Sequence, residues 1–125
     1  MGEPPSALGA EALALLRAVL ADFRAWGRFP VVTTRDRRYG AADLPADEVV
    51  TLDAEAYPTA LVTLARRCGA ALLIAPEDGG ALERVSALVR GAGVTLLGSL
   101  PRGIAVAADK WECSRRFASA GLPGP

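Results

Sequence analysis

Two apolar runs with almost no polar alternation, Ala70–Ala75 and Val94–Leu97, constrain this chain most. A strand with one wet face alternates apolar and polar residues. A short continuous apolar run bounded by turn residues instead fits a strand covered on both faces. Helical stripes flank these runs. Leu8, Ala12, Leu15, Leu16, Val19, Phe23 and Trp26 give one stripe over residues 6–26, with Ser6 as N-cap and Gly27 as stop. Tyr57, Ala60, Leu61, Leu64, Ala65 and Cys68 give another, closed by Gly69. Phe29–Thr34 and Glu48–Leu52 read as further strands. Helices are expected over 80–90, 101–108 and 110–120. Strands that alternate with helices predict an α/β fold, a three-layer open sandwich on a mostly parallel sheet of about four strands with right-handed crossovers.

At 125 residues the chain is one domain by length, and half of it is apolar, enough to form a core. Fourteen basic side chains balance fourteen acidic ones. That balance argues against a nucleic-acid partner or an anionic membrane surface. No apolar run approaches the length of a membrane span, and Met1–Pro5 lacks the pattern of a signal peptide. The two cysteines, Cys68 and Cys113, stand far apart and form no metal-type pair, which fits a reducing cytoplasm. The chain has no histidine. A Ser-His-Asp triad, a Cys-His pair and a His-ligated metal are therefore excluded within it.

In a parallel sheet, ligands collect beyond the carboxyl ends of the strands. Three such ends carry candidate residues. Glu77 and Asp78 follow Ala70–Ala75, where two carboxylates could hold a substrate ammonium or a magnesium-bound group, or simply cap the next helix. Ser99, in Gly98-Ser99-Leu100-Pro101, could cap a helix or help seat an anion at its N-terminus. Asp109 and Glu112 fit a capping box, which puts Lys110 at the first helical position, beside the positive end of the dipole. A lysine there is mildly unfavourable for the helix but suits a phosphate. No glycine-rich phosphate loop follows any strand. The cluster Arg35–Arg38 reads as a solvated loop, and Asp53 ends a strand.

The order Ile74-Ala75-Pro76-Glu77, Leu97-Gly98-Ser99, Ala108-Asp109-Lys110 and Gly121-Leu122-Pro123-Gly124-Pro125 resembles the domain that precedes ATP-grasp in carboxylate–amine ligases. The likeness is greatest to the tyramine–glutamate ligase group. The first helix, with Leu15-Leu16 and Ala21-Asp22-Phe23, is also similar, whereas residues 35–56 contribute little. The resemblance implies a Rossmann-like domain over residues 1–120 and a linker over 121–125 leading to an ATP-grasp domain. Such domains open with a strand before the first helix, and Met1–Pro5 is too short and proline-rich to supply one.

The resemblance further implies that the whole protein uses ATP and Mg2+ to join a small-molecule carboxylate to an amine through an acyl phosphate. Lys110 would contact nucleotide phosphates, and Glu77, Asp78 and Ser99 would face substrate. This chain alone would hold neither ATP nor metal tightly and would not catalyse. The surface facing the ATP-grasp domain would be apolar, so the chain is expected to form homodimers near Trp111 or Phe117. The alternative is a stand-alone binding module for a small anion or a protein partner.

Overall fold

The computed structural model describes residues 7–40, 43–75 and 78–124. It divides into two compact units, 1–61 and 62–125, with the boundary inside a helix.

The first unit opens with α1, Ala7–Trp26. Gly27 ends the helix with φ +65° and donates its N–H to the Phe23 carbonyl at 3.1 Å. The covered stripe of α1 is Gly9, Leu13, Leu16, Val19, Leu20 and Phe23. It differs from the expected one, because Ala12, Leu15 and Trp26 are exposed. A glycine carries the difference. The Tyr39 ring lies over Gly9 so closely that a Cβ would meet it, and a count of apolar side chains gives glycine no weight.

Strand β1 spans Val32–Asp36 and pairs in parallel with β2, Glu48–Leu52. The expected start of β1 at Phe29 moves three residues on. Pro30 has no N–H to donate to a ladder, and the Val31 N–H is taken by the Asp47 carboxylate at 2.7 Å. Between the strands the chain makes a 3-10 turn, Arg37–Tyr39. Leu20, Leu44, Leu52 and Leu61 are the buried apolar side chains here, with Thr33 beside them.

Helix α2, Tyr57–Cys68, carries the chain into the second unit and stops at Gly69, whose φ is +79°. Strand β3, Ala70–Ala71, pairs in parallel with β4, Thr95–Leu96. Between them, a 3-10 turn at Asp78–Gly80 leads into α3, Ala81–Gly91. The unit closes with α4, Pro101–Ala108, and α5, Lys110–Ser119. Its core is Ala65, Val89, Val94 and Ile104, with the hydroxyl-bearing Ser86 also buried.

The chain is thus α/β with parallel pairing. The expected sheet of about four strands is found as two two-stranded parallel sheets, one in each unit. The later strands are shorter than their apolar runs. The chain bends at Leu97–Gly98, so β4 ends early and residues 72–75 run on beyond their partner. Leu72, Ile74 and Leu97 are accordingly exposed rather than covered on both faces.

Val89 is wholly buried, whereas Leu15 is 53% exposed. Val89→Ala is expected to destabilise the chain by about 2 kcal/mol, and Leu15→Ala by less than about 0.5 kcal/mol. Urea unfolding of both variants checks the contrast, and equal losses would contradict this packing.

Candidate functional site

Parallel pairing brings the carboxyl ends of β1 and β2 out on the same edge. The residues there are charged and mutually held. Asp36, the last residue of β1, accepts the Arg38 N–H at 2.8 Å and so caps the 3-10 turn. The Arg38 guanidinium folds back on the same carboxylate, with Nε 3.0 Å from both oxygens and Nη2 2.6 Å from Oδ2. Arg37 reaches across to Asp53, the residue after β2, through Nε and through Nη2 at 3.2 Å. One step back in the ladder, Arg35 Nη2 donates to Thr51 Oγ1 at 2.9 Å.

These groups border a cleft of about 300 Å³ whose walls include Thr34, Arg35, Arg38, Leu52, Asp53 and Tyr57. A second recess of about 370 Å³ adjoins it, sharing Asp36, Arg38, Asp53 and Ala54 and adding Arg37 and Gly40. Tyr57 is the first residue of α2, so the positive end of that helix also faces this edge.

The hydrogen bonds fix the protonation states. The Arg38 side chain and N–H hold the Asp36 carboxyl below its ordinary 3.8. Arg37 does the same to Asp53. The two guanidinium groups are pushed up in turn by their carboxylates. Burial raises the Tyr57 phenol above its ordinary 10. At neutral pH the cleft therefore presents fixed charges and a neutral phenol. It can bind and orient a ligand, and none of these groups is tuned to exchange a proton near pH 7.

The residues expected from the sequence all fall in the second unit, and Glu77 lies outside the described residues. Asp78 opens the 3-10 turn before α3. That turn touches α4. Ser99 is exposed but does not cap α4. Leu100 holds the N-cap position without a side-chain bond, and Pro101 is the first helical residue. Lys110 is exposed at the first position of α5, as expected. Half of the capping box forms, with Asp109 accepting the Glu112 N–H at 3.0 Å. The Glu112 carboxylate instead turns to Arg115 and Arg116, which hold it below its ordinary range. Ser99 and Lys110 flank opposite ends of the eight-residue α4, a separation of about 12 Å along the helix. Among the described residues, no group of three or more acidic or cysteine side chains could hold a metal.

Arg37 and Arg38 are solvated, as the loop reading has it, but Arg35 and Asp36 belong to β1, and that reading does not find the cleft. Its sequence signal is a fixed offset. Arg35 and Thr51, and Arg37 and Asp53, are each sixteen apart, and so are the paired residues of the ladder.

Because Asp36 has a lowered pKa, its contribution to stability is complete above its unfolded value, near 3.8, and fades as pH falls through the folded value. Arg38→Gln is expected to move the Asp36 titration up towards 3.8 and to flatten the fall of stability below pH 4. A 13C carboxyl titration by NMR reads the shift. An unchanged Asp36 curve would contradict the pairing.

Residues 29–104 match the family described as the pre ATP-grasp 3 domain. The search of curated proteins gives no match, and neither does the search of solved structures. The matched stretch holds both strand pairs, the cleft, α2 and α3, and leaves α5 with Lys110 outside. No helix of the described residues is long and apolar enough to cross a membrane. The match spans more than half of the chain, and the chain belongs to the pre ATP-grasp 3 domain family.

Proposed function

We propose that this chain is the N-terminal, substrate-side domain of an ATP-grasp ligase that joins a carboxylate to an amine through an acyl phosphate. The family match over residues 29–104 is the observation that carries this reading. The resemblance to carboxylate–amine ligases, and to the tyramine–glutamate group among them, supplies the substrate class. In this reading the ATP-grasp domain of the same protein provides the nucleotide and metal site. The described residues of this chain do not fit ATP and Mg2+ by themselves. They offer no cluster of metal-ligating side chains, and no glycine-rich phosphate loop stands in the sequence. No step is therefore assigned to them through either group.

What this domain would contribute is binding surface and charge. Lys110 presents an exposed ammonium at the start of α5, where it could reach a nucleotide phosphate carried by the neighbouring domain. Glu77, Asp78 and Ser99 would face the substrate side. The second unit also exposes Leu72, Ile74, Leu97, Leu100, Trp111 and Leu122, with Trp111 at 80%. Large apolar side chains left in water are what a covering domain would bury.

The test is ATP-dependent release of ADP by the full-length protein, offered glutamate and a panel of amines, with the 125-residue chain as control. The full-length protein is expected to turn over with one amine and the control to be inactive. Lys110→Ala in the full-length protein is expected to raise the KM for ATP about tenfold, the loss of one charge-assisted hydrogen bond. Turnover by the control chain, or a silent but folded full-length protein, would overturn the reading. The second result would favour a binding module.

A further inference from the structure

We infer that the run Ala70–Ala75 pairs with the same run of a second copy of this chain, antiparallel about a two-fold axis, on the edge of β3 that β4 leaves free. This assignment lies in the second unit and does not depend on the ligase reading.

The backbone shows which edge is free. The Gly69 and Ala71 carbonyls accept from the Thr95 and Leu97 N–H groups at 3.1 and 2.8 Å, so the odd-numbered positions turn their polar groups to β4. The residues between them in an extended chain turn theirs the other way. Exposure alternates strictly from Ala70 to Ala75, the period of two that an extended chain gives. Ala70, Leu72 and Ile74 therefore present their N–H and C=O groups along the free edge. Among the described residues no other strand pairs with β3, and residues 72–75 make no backbone hydrogen bond.

An occupant of this edge has to be extended, apolar and uncharged. The run itself holds no charge and no proline, the devices that blunt an edge. The first sheet differs, with Arg35, Asp36 and Glu48 in its strands. A second copy meets the requirement with the same segment. With Leu73 on the two-fold axis, Leu72 of one copy stands opposite Ile74 of the other, an apolar pair that exchanges two hydrogen bonds. The axis makes a second such pair. Sheet size is the independent argument. β3 and β4 pair over two residues each, and a two-stranded ladder alone is marginal in water. Two copies joined at β3 make one four-stranded sheet in the order β4-β3-β3-β4.

The experiment follows the 125-residue chain by sedimentation equilibrium between about 1 μM and about 1 mM, the range of weak association. A monomer–dimer equilibrium is expected. Leu72 and Ile74 are 44% and 38% exposed, so lysine fits at either without entering the core. Leu72→Lys/Ile74→Lys puts like charges opposite one another across the axis and is expected to weaken the dimer at least about tenfold. Leu72→Glu/Ile74→Glu is expected to do the same, and mixing the two variants is expected to restore pairing as a heterodimer. Trp111→Lys is expected to leave the equilibrium unchanged. Amide exchange of the wild-type chain decides the matter even if a variant does not fold, since the Leu72 and Ile74 N–H groups are expected to gain protection as concentration rises. A chain that stays monomeric throughout the range overturns the inference. So does a dimer in which these amides stay unprotected, a lysine variant that dimerises like the wild type, or a mixture of variants that does not pair. A dimer lost with Trp111→Lys would place the contact on α5 and also overturn it.

Discussion

One register organises the first unit. The paired residues of the ladder, Val31 with Asp47 and Arg37 with Asp53 all share an offset of sixteen residues. The backbone ladder covers Val32–Asp36 and Glu48–Leu52, and side chains continue it one step at each end. At the start, the Asp47 carboxylate takes the N–H that Pro30 leaves next in line. At the finish, an arginine and a carboxylate close the edge. A slip of one residue would turn Thr33 and Leu52 out of the core and part every one of these pairs. The cleft exists because both strands leave the sheet in the same direction in this register.

Local signals made much of the chain legible. Gly27 and Gly69 end helices where a positive φ is needed, and Pro101 opens one where a missing N–H costs nothing. Those residues fixed α2, α4 and the end of α1, and β2 matches its expected bounds. What stayed hidden depends on partners distant in sequence. Gly9 joins the covered stripe of α1 only because Tyr39 arrives from another element. The run Ala70–Ala75 pairs for two residues because the chain bends after β4. Glu112 leaves its capping box half formed because Arg115 and Arg116 lie on the next turn and compete for it. The arginine cluster looked like a solvated loop because nothing local says that Asp53 stands opposite Arg37.

The two units present different surfaces. The first holds a fixed arrangement of charge at a strand end, without a group poised for proton transfer near neutrality. The second holds exposed apolar side chains and a lysine at a helix start. Membership of the pre ATP-grasp 3 family rests on the match over residues 29–104. The proposed ligase reading gives the reacting groups to another domain, a division that catalysis by positioning and electrostatics allows.

The most direct test of this account is the register itself, read from cross-strand NOEs in the 125-residue chain. The account predicts backbone contacts between Thr33 and Val49 and between Arg35 and Thr51, with both strands running in the same direction. Contacts of Thr33 with Val50 or Glu48 as its direct opposite, or an antiparallel pattern, would contradict it and remove the basis for the cleft.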